Sequence, residues 1–364
     1  MQIKVVIFVK NIIKVIVMHE IDLKNYNIRS DLVVDILSDI ENKNGITYKE
    51  EEFNNINVLD ISLEKNNDLD KKEGRYITIS FDDVTDNINR NNLKKVLVKK
   101  LSELLNDKNL FGKKCLVVGL GNGDSTPDSL GPKVASEVLV TRYLFELDNV
   151  EVEEGYSCVS SIIPGVIGTT GIESSDIVLG IVEKIKPDFI IAVDALASSS
   201  ITRINKTIQI TDTGIHPGSG VGNKRKELSE STLDIPVIAI GIPTVIDGVT
   251  IVSDTINYML KQFSYNKETK EKQSNKFVPV TNRNYLEHDK ELTIEEKTKL
   301  LGLVGSLTEE EIKSLIFEVL TPIGYNLMVT VKEVDFVTEN LAKVLVYGID
   351  HSLHKKNEKN FKKN

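Results

Sequence analysis

Two aspartates stand where a polypeptide could use them for acid–base chemistry. Asp128 lies in GLGNGDSTPDSLGPKV, after the apolar run 115–118 and before Val134, Val138 and Leu139, which recur at helical spacing. Asp194 ends a second apolar run, FIIAV at 189–193. Each run reads as a parallel strand covered on both faces, so each acid falls at a carboxyl edge, where open α/β sheets bind ligands. Either aspartate alone could be a turn or cap residue. Two acids meeting in one crevice have a further use. Mutual repulsion raises one pKa and leaves the partner ionised, so one carboxyl can polarise a carbonyl while the other takes a proton from water. Such a pair titrates as a unit, and the sequence does not say which member is the base.

The elements that must position these acids follow from the hydrophobic pattern. Between 114 and 263, the strand-like runs CLVVGL, VEVEEGYSCV, DFIIAVD, TIQITD and PVIAIGI alternate with helical segments. This predicts an α/β fold with a mainly parallel sheet flanked by helices. Additional N-terminal strands are expected at 59–63 and 76–81, followed by a helix over 90–105 with Leu93, Val96, Leu97, Leu101 and Leu104 on one side. The polar stretch 264–283 reads as a linker loop, and helices are expected between about 293 and 354. Three glycine-rich loops, 164–171, 212–223 and 241–248, are expected to line the crevice. The second carries His216, and free amides in the first could hold a substrate backbone or carboxylate. A dinucleotide site is a poor fit, because the third glycine of GxGxxG falls at Asp124 and an acidic loop repels phosphate.

Composition narrows the functional classes. The chain has 364 residues, 40% of them hydrophobic, enough for a sizeable core, and a net charge of -9 argues against a nucleic-acid-binding surface. Its two cysteines, Cys115 and Cys158, lie in apolar settings without a Cys/His cluster, as expected of buried reduced thiols. Residues 1–17 carry Lys4, Lys10 and Lys14 within an apolar run too short to span a bilayer, and are expected to be an upstream extension or a misplaced start. No transmembrane helix is expected elsewhere.

The runs GLGNGDSTPDSLGPKV, IIPGVIGTTGIES, KPDFIIAVDALA, TIQITDTGIHPGSGVGNKRKEL and IPVIAIGIPTVIDGVTI closely resemble the germination protease family of spore-forming bacteria, and the likeness spans roughly residues 22–354. The resemblance implies an endopeptidase that degrades small acid-soluble spore proteins, cutting after an acidic residue, before a bulky apolar one, with another acid further along. It implies an atypical aspartic mechanism, with Asp128 and Asp194 matching the family's catalytic pair. It also implies a self-processing zymogen. The expected cut falls between Asp31 and Leu32, with Asp35 as the further acid; Ser30, Val33 and Asp35 replace the family's usual Thr, Ala and Glu. On this basis residues 1–31 are extension and propeptide, 32–354 a single protease domain with its core at about 110–263, and 355–364 a disordered tail.

The fold so implied is that of hydrogenase-maturation endopeptidases, which supply the competing mechanism of metal-dependent hydrolysis. His216 is the lone histidine in the expected crevice loops, a sparse ligand set for such a metal. No metal or cofactor is expected. A cut after an acid calls for a cationic pocket, with Arg142, Arg203, Lys224 and Arg225 as candidates, and Asn122, Thr169, Asp212 and His216 as further substrate-binding candidates. The resemblance also implies a homotetramer in the cytoplasm of the spore core, without direct nucleic-acid or membrane binding. An inactive α/β scaffold that binds acidic partners is the alternative outside enzymes.

Overall fold

The computed structural model describes residues 32–37, 44–69, 71–147, 152–216, 226–270, 291–320 and 327–354. The chain divides into two compact units, one of Arg29–Ile246 with Met328–Asn364 and one of Asp247–Leu327 with Met1–Ile28.

In the first unit, apolar runs become strands wherever both faces can be covered. β1 (Ile46–Phe53), β2 (Ile56–Leu63) and β3 (Gly74–Ser80) form a meander, and α1 (Val33–Leu37) precedes them. β4 (Cys115–Gly119) is buried at every position, and β6 (Phe189–Ser198) at all but one. β5 (Val159–Ile162), β7 (Thr207–Thr211), β8 (Val237–Asp247) and the short β9 (Met328–Val329) complete the strands among the described residues. Their order is β1-β2-β3-β7-β8-β6-β4-β5, with β9 beside β8.

The expectation of a mainly parallel sheet is corrected. β4–β5, β4–β6 and β6–β8 pair in parallel, but β1–β2, β2–β3, β3–β7 and β7–β8 are antiparallel. The reason is the connection from β6 to β7. It holds only a 3-10 turn at Ile201–Arg203, too short for the crossover helix that a parallel return needs, so β7 runs back against its neighbours. Two further expectations change. The VEVEEGYSCV strand begins only at Val159, and the loop expected at 241–248 is largely the buried second half of β8.

β8 stays in the sheet past Pro243 because β6 shifts register there. Leu196 faces Pro243 and Ala197 faces Val245, so Thr244 is the extra residue of a bulge, the position at which a strand tolerates proline.

Helices cover both faces. α2 (Asn87–Asp107) starts at Asp86, whose side chain accepts from the Asn89 amide at 2.8 Å, and buries the predicted leucine and valine stripe. Lys100 lies in that stripe, only 2% exposed, answered by Glu51 at 3.0 Å and Glu103 at 3.2 Å. α3 (Leu130–Glu137) and α11 (Val334–Leu353) share this face; Gly348 lets α11 approach Leu97 so closely that a β-carbon there would lie 2.4 Å from it. α4 (Arg142–Glu146) and α5 (Ile167–Thr170) are short. α6 (Ser174–Ile185) packs Val178 and Val182 on the opposite face, with Leu233 of α7 (Glu230–Leu233).

The second unit contains α8 (Gly248–Lys270), α9 (Ile294–Leu301) and α10 (Glu309–Leu320). The helix α8 continues through the first residues of the expected 264–283 linker. Thr293 and Glu296 cap α9 reciprocally, through the Thr293 amide to Glu296 at 3.0 Å and the Glu296 amide to Thr293 at 3.4 Å. Among the described residues, no helix is long and apolar enough to cross a membrane.

Candidate active site

The loop that carries Asp128 is fixed by glycine contacts. A β-carbon on Gly119 would lie 2.2 Å from the Gly131 carbonyl oxygen, and one on Gly131 would lie 2.2 Å from that of Leu120 and 2.4 Å from that of Val193. The start of α3 therefore rests directly on the end of β4 and the middle of β6. Gly121, at φ +109°, abuts Asp128, where a β-carbon would come within 2.2 Å of the backbone oxygen and 3.0 Å of the carboxylate. The Asn122 amide donates to Asp128 Oδ2 at 2.7 Å, while the Asn122 side chain accepts from the Asp124 amide at 3.0 Å. The Asn122 backbone amide thus holds this carboxylate in place.

Asp194 enters from the strand. Gly119 is in register with Val193, and the Leu120 amide donates to the Val193 carbonyl at 2.8 Å. Leu120 and Gly121 are consecutive, so one grips the residue before Asp194 while the other lies against Asp128. Asp194 is 5% exposed and accepts from the Ala195 amide at 2.9 Å. Across the sheet it is in register with Gly241, itself in register with Gln209 of β7. Residues in register point to one face, so Asp194 and Gln209 project on the same side with the side-chain-free Gly241 between them. The bulged Thr244 ties the two halves together: its hydroxyl donates to the Pro127 carbonyl at 2.7 Å, and its own carbonyl accepts from Thr330 at 2.7 Å. Nothing in the sequence marked Thr244 or Gln209.

A cavity of about 270 Å³ opens beside this row, lined in part by Val33, Lys72, Leu196, Gln209, His216 and Gly241. Val33, the second residue beyond the expected cut, lies against it. Asp31 is outside the described residues, but Leu32 and Val33 are fully buried, and the Val33 amide donates to Gln209 Oε1 at 2.8 Å.

The other expected residues scatter. Arg203 pairs through Nε with Asp35 at 2.5 Å. Asp212 serves the fold, accepting from the Arg75 amide at 2.8 Å and pairing with Lys108 at 2.6 Å. His216 is more than half exposed, 3.5 Å from Glu227, which also pairs with Lys72. Arg142 bonds Glu146 and the Ile185 carbonyl at the end of α6, away from both aspartates in sequence and in partners. Thr169 turns back to the Val166 carbonyl at 2.9 Å. Lys224 and Arg225 lie outside the described residues. Burial pushes the Cys115 thiol far up and raises that of Cys158, so neither is primed as a nucleophile. Among the described residues, no three His, Cys, Asp or Glu side chains converge as a metal site would require.

The architecture is that of an α/β protein in which Asp128 follows the carboxyl end of β4, while Asp194, expected at a strand end, lies inside β6, which runs on to Ser198 because its pairing with β8 continues. Residues 27–364 match the germination protease family, and the chain belongs to it. Membership makes the protein a peptidase. The germination protease of Oceanobacillus iheyensis is 51% identical over 321 residues, covering 86% of this chain and 87% of its own. That of Bacillus pumilus is 46% identical over 358 residues, covering 93% and 96%, and that of Priestia megaterium 45% identical over 355 residues, covering 92% and 96%.

Proposed function

We propose that the protein is an endopeptidase made as a self-processing precursor, which degrades small acid-soluble spore proteins by an aspartic mechanism using Asp128 and Asp194. The single observation that carries the reading is the Leu120–Gly121 backbone, which joins the residue before Asp194 to the Asp128 carboxylate. One carboxylate takes a proton from the attacking water; its protonated partner polarises the scissile carbonyl and then passes a proton to the leaving amine. The cut falls after Asp31, releasing residues 1–31, and the enzyme acts as a homotetramer in the cytoplasm of the spore core. Sedimentation velocity on the purified protein checks the assembly, and a monomer would remove that part.

The mechanism is tested by intact mass over time at mildly acidic pH with a chelator present. Wild type is expected to lose the segment through Asp31, and Asp194→Asn to remain whole. Processing that needs added divalent metal would overturn the aspartic reading in favour of a metallopeptidase. Should wild type stay whole and fail on a spore-protein substrate as well, the chain is a binding scaffold instead.

A further inference from the structure

The contacts of the segment after the expected cleavage point follow the order of its sequence. Val33, the second residue beyond the bond, gives its amide to Gln209, which shares the transverse row of Asp194. Asp35, the fourth, pairs with Arg203 at 2.5 Å and accepts from the Ser198 hydroxyl at 3.2 Å and the Ser199 amide at 3.1 Å. Ser198 lies four residues beyond Asp194 on the same strand. Asp35's side chain is 2% exposed while that of Arg203 is 25% exposed. A covered carboxylate that meets a guanidinium, a hydroxyl and an amide is held as an acidic ligand is held in a receptor, and the Arg203 side chain that meets it is itself left partly exposed. If the segment needed only an anchor, the buried Leu32 and Val33 would provide one.

We infer that Arg203, Ser198 and Ser199 form the subsite that reads an acidic residue four places beyond the cut bond of a protein substrate, with Gln209 holding the main chain two places beyond it. In this chain Asp35 and Val33 fill those places as the downstream product of self-cleavage. The assignment rests on the peptidase reading above and adds a consequence to it. Breaking the bond after Asp31 leaves residues 32–35 attached to the enzyme and still seated, so this segment must withdraw before a second polypeptide enters. Segment and substrate compete for Arg203.

The test uses processed enzyme and two peptides, IRSDLVVDIL, copied from residues 28–37, and the same peptide with Asn at the position of Asp35. Wild type is expected to prefer the acidic peptide about tenfold or more, chiefly through KM, as the loss of a charge-assisted contact predicts. In Arg203→Gln the two peptides should be cut with kcat/KM within about twofold of each other, because an amide gives no charge preference. Arg203→Lys retains part of the preference and serves if the glutamine variant does not fold. Asp35→Asn in the enzyme should lower KM for the acidic peptide, since the competing segment is held less firmly. Equal cleavage of both peptides by wild type, a preserved preference in Arg203→Gln, or an unchanged KM in Asp35→Asn each overturns the assignment and leaves the peptidase reading standing. If wild type cuts neither peptide nor any spore protein, the peptidase reading fails and the subsite falls with it.

Discussion

Asp128 and Asp194 are held by different devices, and substitution should reveal both. Asp128 depends on the Asn122 amide and Asp194 on its place in β6. Replacing either by Asn keeps the shape and removes the proton chemistry. Peptide hydrolysis is expected to fall at least about 10³-fold in each variant with circular dichroism unchanged, near the upper range of a lost general acid or base. Thr244→Val tests positioning instead. It leaves the Pro127 carbonyl without its hydroxyl donor, at a cost of about 1–3 kcal/mol, and frees the turn that carries Asp128. The expected loss is about tenfold in kcat with KM little changed, measured by steady-state kinetics. The two acids were proposed because each follows an apolar run that reads as a buried strand; the strand of Asp194 continues four residues past it, to Ser198. Thr244 was not, since GIPTVIDG carries proline and glycine and reads as a turn; its strand exists because β6 offers a bulge opposite Pro243.

Among the elements, the first turn of α3 matters most to the site. Gly131 touches the carbonyls of both Leu120 and Val193, and both are backbone, so a methyl group cannot be accommodated by a side chain turning away. Gly131→Ala should therefore push α3 off the sheet, destabilise by about 1–3 kcal/mol as overpacking does, and reduce activity beyond what the residual folded fraction explains. Urea unfolding and activity on the same samples separate the two effects. Most helices were legible from their periodicity, with α2 extending beyond the predicted 90–105 to Asn87 and Asp107 through end residues that are polar except Ile88. The direction of β7 was misjudged, although Thr207, Gln209 and Thr211 alternate with Ile208 and Ile210, the period-two pattern of an antiparallel strand with one polar face. Placing it among runs that alternate with helices hid that signal. β1 was missed because ITYKEEEF is too charged to stand out; Lys100 and Glu51 give it a partner the local sequence does not show.

At the scale of the whole molecule, the C-terminal helix sets a pH dependence. Burial pushes the Asp350 carboxyl up from 3.8 to about 6, against the opposing hydrogen bond from the Leu139 amide at 3.0 Å. Its folded pKa lies above its unfolded one, so its contribution is fully present below 3.8 and is lost as pH rises through 6. Asp350→Asn can keep the bond to Leu139 without the charge. It should be more stable than wild type at pH 8 by on the order of 1–2 kcal/mol, the shift being discounted for the solvent that still reaches the group, and about equal at pH 4. Denaturant midpoints at the two pH values decide it; equal differences at both would refute the assignment. The Asp31–Leu32 bond illustrates how far sequence reaches here. The acid-then-apolar pattern marked where a cut could fall, but only the fold shows Leu32 buried and Val33 on Gln209.

The reversal of direction at β7 gives the molecule an uneven tolerance for change. On one side of it lie strands β8, β6, β4 and β5, hydrogen-bonded in parallel and largely sealed on both faces, where almost any altered side chain disturbs a neighbour. On the other lies the more exposed β1–β3 meander, and β7 itself turns Gln209 and Thr211, followed by Thr213, toward the cavity. Variation at the cavity-facing Gln209, Thr211 and Thr213, with the buried Ile208 and Ile210 kept, is thus expected to reshape which polypeptides the proposed site accepts. A designer wanting a peptidase of new taste would vary those three side chains first and leave the buried isoleucines and the sealed strands alone.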